Sequence, residues 1–90
     1  MQITRHANKR CQQRALPHEV LDLLILFGND FDSGGGTRIR ALASKFSKIE
    51  FLQELRVRGI EVKEKWCDAY LVMSPYGSVI TAGYRYKKLH

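Results

Sequence analysis

The 90-residue sequence is poor in cysteine, in proline and in long apolar runs. Its two cysteines, Cys11 and Cys67, lack the spacing of a zinc site, and we expect buried, reduced thiols rather than a disulfide. The longest apolar run, at 20–27, is interrupted by Asp22, whereas a membrane span needs roughly 18–20 apolar residues. The N-terminus lacks the apolar core of a signal peptide. These shortages predict one cytoplasmic domain, residues 1–90, without a membrane partner.

Acidic residues are also scarce relative to basic ones. Nine Asp and Glu stand against fifteen Lys and Arg, which gives a net charge of +6 and a pI near 9.6. A basic domain attracts nucleic acid because its cations neutralise phosphates and release counterions. Many small proteins are basic only to stay soluble, so net charge alone does not indicate nucleic-acid binding. The positions of the basic residues are more informative. Hydrophobic residues make up 44% of the chain and lie in periodic runs, which is typical of a folded domain.

Helical periodicity dominates the first two thirds of the chain. It predicts a helix over about 5–14 with Thr4 as N-cap, and a second helix that starts at Pro17 and ends at Gly28. The second helix has core-facing residues at helical spacing, namely Val20, Leu23, Leu24 and Phe27. A third helix is expected from a capping-box sequence at 47–50 to about residue 58, with Gly59 ending it. Its inward residues would be Ile49, Leu52 and Leu55, and Glu54 would pair with Arg58 outside.

Alternating patterns predict strands at 37–43, 60–66, 69–74 and 78–86, whereas 29–36 is expected to be a loop. Consecutive strands joined by tight turns indicate an antiparallel meander. The expected fold is α+β, with N-terminal helices packed on one face of a four-stranded, mainly antiparallel sheet. The other face of this sheet would be free to bind.

A first candidate site lies on the first predicted helix. His6, Arg10 and Arg14 fall at i, i+4 and i+8, and therefore on one face. Two neighbouring guanidinium groups disfavour a cationic imidazole, so a neutral His6 could act as a base near pH 7. The arginines could hold a phosphate and stabilise charge that develops on it. The alternative is a solvated helix face with an exposed histidine.

A second candidate site lies on the last predicted strand. Thr81 and Arg85 share one face of that strand and Tyr84 takes the other, so one face is core and the other is available. Aromatic and cationic side chains on a sheet can stack bases and grip a phosphate backbone. The nucleic-acid-binding set we expect comprises Arg38, Arg40, Tyr84, Tyr86, Lys87 and Lys88. The alternative is a set of ordinary strand residues before a basic C-terminus.

Cofactor and metal motifs are missing from the sequence. The glycine run at 34–36 lacks the Lys-Ser/Thr pair of a P-loop and precedes a strand, so a flexible connector is the better interpretation. No zinc ligand set, calcium-loop spacing or Ser-His-Asp arrangement emerges. We therefore expect no metal and no cofactor.

The order of the motifs resembles a family of small bacterial domains that begin H-A-x-x-R-x-x-x-R-x-[IL]. The matching residues here are Thr4-Arg5-His6-Ala7-Asn8-Lys9-Arg10 and Arg14-Ala15-Leu16-Pro17, and the family's closing strand pair is similar to 69–74 and 78–85. That family resembles the barnase, EndoU, colicin and RelE-like (BECR) fold of ribonuclease toxins. The resemblance implies helices on a four-stranded antiparallel sheet, and metal-independent RNA cleavage by attack of the 2′-OH on the adjacent phosphate.

The resemblance also implies roles for individual residues. His6 would be the catalytic base or acid, Arg10 and Arg14 would grip the scissile phosphate, and Thr81 or Arg85 would complete the site. The first helix must then lie against the last strand. No second acid–base group is obvious in the sequence.

Three functions follow as alternatives. The first is a metal-independent ribonuclease of the kind that serves as the toxin of a toxin–antitoxin pair, with an acidic antitoxin as protein partner. The second is a non-catalytic module that binds RNA or DNA, and the third is a phage- or plasmid-type inhibitor that docks onto an acidic protein surface.

Overall fold

The computed structural model describes residues 2–85. Three α-helices and five strands follow one another in the order β1 (Gln2–Ile3), α1 (Arg5–Gln13), α2 (His18–Phe27), β2 (Asn29–Asp32), β3 (Arg38–Ala41), α3 (Lys45–Val57), β4 (Ala69–Met73) and β5 (Ser78–Tyr84). A short 3-10 helix (Glu64–Asp68) connects α3 to β4.

The strands form one mixed sheet in the order β1-β5-β4-β3-β2. β1 is parallel to β5, and the other three pairs are antiparallel. The α+β class is therefore confirmed, whereas the expected four-stranded sheet is corrected to five strands. β1 is only two residues long, too short to leave a periodic signal in the sequence.

β2 forms where a loop was expected, because Asn and Asp are weak strand residues and hide the pattern. It pairs with β3 so that Phe31 lies opposite Ile39 and Asp30 opposite Arg40. An ion pair of 2.5 Å joins Arg40 Nη1 to Asp30 Oδ1 across this hairpin. The glycine run at 34–36 makes the hairpin turn, in which all three glycines have positive φ angles. The predicted connector is thus a defined turn between strands.

The strand expected at 60–66 is absent, and this prediction is wrong. Residues 60–63 are irregular and 64–68 form the 3-10 helix. Ile60 and Val62 pack, partly buried, against the core, and Trp66 is 4% exposed. Apolar and charged residues alternate in this segment because the connection between α3 and β4 packs its apolar side chains on the core. The alternation does not reflect pairing with another strand.

α1 and α3 each begin at a side-chain cap. Thr4 Oγ1 accepts a hydrogen bond from the Ala7 N–H at 3.1 Å, as predicted. α3 starts three residues earlier than expected, because Ser44 Oγ accepts from the Ser47 N–H at 3.0 Å. Ser44, not Ser47, is therefore the N-cap.

The inward face of α3 also differs from the prediction. Phe51 and Leu55 are fully buried and Leu52 is partly buried, whereas Ile49 is 52% exposed. The surface pair between Glu54 and Arg58 forms as predicted, with 3.1 Å between Oε1 and Nε.

One hydrophobic core lies between the three helices and one face of the sheet. Its sheet residues include Leu71, Val79 and Ala82, and its helix residues include Ala7 and Phe51. Both cysteines are buried free thiols, as expected. The residues between these sheet positions, such as Val72 and Thr81, point away from the helices, because side chains alternate along a strand.

α1 packs against β5. Thr4 fixes the start of the helix to this strand. Its N–H donates to the Val79 carbonyl at 3.0 Å, and its hydroxyl donates to the Ile80 carbonyl at 3.1 Å. Ala7 and Cys11 then face the strand in the core.

Candidate nucleic-acid-binding cleft

A basic cleft lies where the end of α1, the 3-10 helix and the end of β5 meet. Its volume is about 440 Å³, which is within the usual range of ligand sites. Arg14, Lys65 and Arg85 line it together with Tyr84, and Asp68 is the one carboxylate among its described lining residues. The fold thus collects three cations from three distant parts of the chain.

Arg14 is positioned by the way in which α1 ends. The Leu16 N–H donates to the Cys11 carbonyl at 2.9 Å, and Ala15 adopts φ +53°, a left-handed conformation typical of a Schellman cap. The Ala15 carbonyl accepts a hydrogen bond of 3.3 Å from Trp66 Nε1. These contacts turn the chain sharply after Arg14 and leave its side chain exposed beside the cleft.

Tyr84 contacts both Arg14 and Lys65 at the side of the cleft. Its hydroxyl donates to the Arg14 carbonyl at 2.9 Å, and Lys65 Nζ lies 5.6 Å from the centroid of its ring. Burial raises the pKa of the Tyr84 phenol above its ordinary value, so the group stays protonated as a donor well above neutral pH. Because the ring packs against the core, Tyr84 acts as a scaffold.

Arg85 anchors the end of β5. Its backbone N–H donates to the Asp68 carbonyl at 2.9 Å, which continues the pairing with β4. Its guanidinium Nη2 donates to the Leu42 carbonyl, in the segment that follows β3. A guanidinium group has five N–H donors, so this bond leaves others for a ligand.

The structure separates His6 from the cleft. Eight residues of helix rise place His6 about 12 Å from Arg14 along α1. His6 is exposed and Arg10 is half-buried, and neither is among the described residues that line the cleft. The helix row predicted from spacing is thus present, but only its last member reaches the cleft.

Thr81 lies on the sheet face away from α1. It pairs with Val72, and the neighbouring pair, Leu71 and Ala82, is in the core beneath the helices. A site that combines His6 with Thr81 is therefore not assembled, because the sheet lies between Thr81 and the helix. The predicted split of β5 into a core face and an available face holds, with Tyr84 on the core side.

The two arginines of β3 have different surroundings. Arg40 is held by Asp30 and by the Ile25 carbonyl, to which its Nε donates at 2.8 Å, so it ties the β2–β3 hairpin to the end of α2. Arg38 pairs with Met73, whereas the cleft lies at the Ala69 end of β4, about 13 Å away along the strand. Neither arginine lines the cleft. Tyr86, Lys87 and Lys88 fall outside the described residues.

Sequence reasoning missed Lys65 and Asp68. Lys65 lies within the strand predicted at 60–66, which does not form, and Asp68 lies between the strands predicted at 60–66 and 69–74. Nothing local in the sequence marks them, because they meet Arg14 only through the packing of Trp66 against the end of α1.

A second cavity, of about 560 Å³, lies beside α1 and the start of α2. His18 and Asn8 line it and share a 3.0 Å contact between Nε2 and Oδ1. Lys63 is its one described basic residue apart from His18, so it is less suited to a polyanion than the cleft at Arg14.

Comparisons with known proteins add no relative. No family model matches the chain, and no curated protein or solved structure is significantly similar to it. Within residues 2–85, no helix is long and apolar enough to cross a membrane. The same part of the chain contains no group of three or more His, Cys, Asp or Glu placed to hold a metal ion.

Proposed function

We propose that this protein is a non-catalytic RNA-binding domain that holds the phosphate backbone of RNA in the cleft at the end of α1. The observation that supports this is the convergence of Arg14, Lys65 and Arg85 on one cleft. They come from a helix end, a 3-10 helix and a strand end, and only one carboxylate, Asp68, accompanies them among the described lining residues.

The charge arrangement suits a phosphate ligand. Arginine presents a planar set of donors that matches the oxygens of a phosphate, and lysine adds a mobile point charge. Arg14 and Lys65 make no ion pair with an acidic side chain among the described residues. Their charges are therefore free to neutralise phosphates and release counterions.

Cleavage of RNA is the second candidate, and the packing of α1 against β5 is the observation in its favour. The cleft itself supports binding better than chemistry. His6 lies about 12 Å along the helix from Arg14, and Thr81 is on the opposite side of the sheet from α1. A cleavage site needs a base and an acid within hydrogen-bond reach of one phosphate linkage, and these residues do not provide that arrangement.

The test is binding of a single-stranded RNA of about 12 nucleotides, a length within the range of known single-strand sites. We expect Arg14→Gln/Lys65→Gln to bind at least about tenfold more weakly, because two charge-assisted contacts are lost. Arg56→Gln/Arg58→Gln removes the same charge from the end of α3, outside the cleft, and should bind like the wild type. Equal losses in both variants would refute the cleft as the binding site.

A parallel incubation of the wild type with total RNA in EDTA separates binding from cleavage. We expect intact RNA. Cleavage that His6→Ala abolishes would overturn the non-catalytic assignment in favour of the ribonuclease.

A further inference from the structure

The sheet face opposite the core is uncharged over most of its area. The register places two rows of residues on it, Phe31-Ile39-Val72-Thr81 and Asn29-Ala41-Tyr70-Gly83. The three helices and their core lie on the other side of the sheet. None of the residues in these two rows is charged, and Arg85, which follows the end of β5 two residues beyond Gly83, lines the neighbouring basic cleft.

Tyr70 lies across this face instead of standing away from it. Its Oη, Cε1 and Cζ atoms come within 3.1 to 3.2 Å of the point that a Cβ atom at Gly83 would occupy. The ring therefore extends from β4 over the neighbouring strand, where a Cβ atom at residue 83 would crowd it. Tyr70 is half-buried, and it is not among the residues that pack against the core.

We propose that Tyr70 is a stacking platform for an unpaired base of the RNA whose backbone occupies the cleft. This inference rests on the proposed function and narrows its ligand to single-stranded RNA. An aromatic ring that lies along a sheet is the arrangement by which sheets stack unpaired bases. Among the described residues that line the cleft there is no such surface, because their one aromatic, Tyr84, packs on the core and carries Lys65 over its ring.

Charge favours RNA over a second copy of the chain as the occupant of this face. Each copy carries a net charge of +6, so two copies face to face would repel each other. A polyanion is attracted instead, and Arg85 at the border places a cation where a backbone would pass from the face to the cleft.

The experiment compares two ligands of equal length and charge, a single-stranded oligouridylate and the corresponding abasic ribose-phosphate oligomer. For the wild type we expect the base-containing oligomer to bind about tenfold more tightly, as stacking of one base predicts. Tyr70→Phe keeps the ring and should keep this ratio, whereas Tyr70→Leu should reduce it to nearly one. Tyr76→Leu is the matched control, because Tyr76 is 92% exposed in the turn between β4 and β5.

The outcomes separate this inference from the proposed function. Equal binding of both oligomers by the wild type overturns base stacking and leaves backbone binding intact. This comparison uses only the wild-type protein and does not depend on the folding of a variant. Failure of both oligomers to bind overturns the proposed function as well. If the preference for the base-containing oligomer is kept in Tyr70→Leu but lost in Tyr84→Leu, the role of Tyr70 is overturned and Tyr84 in the cleft is the residue that stacks the base. Self-association of the wild type that Tyr70→Leu abolishes assigns the face to a second copy.

Discussion

At the scale of single residues, the clearest departure from ordinary backbone geometry is Ala15. α1 and α3 end in the same way, with an N–H that reaches back five residues, from Leu16 to Cys11 and from Ile60 to Leu55. The left-handed position is Gly59 in α3, with φ +72°, but Ala15 in α1, with φ +53°. A Cβ atom is strained in this conformation. The strain thus lies beside Arg14, at the edge of the basic cleft.

The substitution Ala15→Gly should therefore stabilise the protein. Relief of the left-handed strain is worth roughly 1–2 kcal/mol, and the added freedom of the unfolded chain offsets about 0.5–1 kcal/mol of it. We expect a net gain of about 0.5–1 kcal/mol in the free energy of unfolding, measured in urea. Ala43→Gly, at an exposed position without a positive φ, should lose stability instead. A loss in both variants would contradict the strain at Ala15.

At the scale of elements, the start of α3 gives a direct comparison between two serines. Ser44 Oγ accepts the Ser47 N–H and its hydroxyl donates to Ser47 Oγ at 2.9 Å, so Ser44 satisfies an otherwise free helix donor and Ser47 does not. Ser44→Ala should cost about 1 kcal/mol of stability. Ser47→Ala should cost clearly less, because the capped N–H keeps its partner. Urea unfolding of the two variants checks this, and the reverse order would restore Ser47 as the cap.

The elements that the sequence predicts well are those with a local cause. α1, α2, β4 and β5 show either helical or alternating periodicity, and Thr4 and Gly59 mark helix ends through their own chemistry. The misplaced cap has a local cause too, because two serines three residues apart offer the same signal. Local patterns thus locate an element but do not always fix its first residue.

The elements that the sequence does not predict depend on tertiary partners. β2 is a strand because β3 is beside it and Asp30 meets Arg40, although its residues favour a loop. The segment 60–66 alternates like a strand but has no neighbour to pair with, since β4 takes both of its partners from elsewhere. Lys65 consequently faces the cleft, which no local pattern could indicate. Of the residues that line the cleft, Arg14, Tyr84 and Arg85 are among those named from the sequence, whereas Lys65 and Asp68 are not.

At the scale of the whole molecule, charge and aromatic surface are divided between two neighbouring regions. The free cations of the cleft lie at one end of the sheet, and the uncharged face with Tyr70 begins two residues away from Arg85. A single strand of RNA could contact both regions at once, whereas a duplex keeps its bases paired and unavailable for stacking. The division is therefore the reason that we propose single-stranded RNA, and not a duplex, as the ligand.

The salt dependence of RNA binding tests whether this arrangement, and not the net charge of the chain, determines affinity. For single strands, each neutralised phosphate contributes about −0.7 to the slope of log K against log salt concentration. The three cations among the described residues of the cleft contribute about −2 to this slope. Removal of two of them in Arg14→Gln/Lys65→Gln should make the slope shallower by about 1.4. Titrations between about 50 and 200 mM salt give the value.

Arg56→Gln/Arg58→Gln carries the same net charge as the cleft variant and distinguishes the two explanations. If RNA is held at the cleft, the slope of this control equals that of the wild type, because no phosphate contact has been removed. If the charge of the whole molecule attracts RNA without a defined site, both variants lose the same amount of slope. A common shift of both variants would thus exclude a localised phosphate site and, with it, the path of the backbone past Arg85.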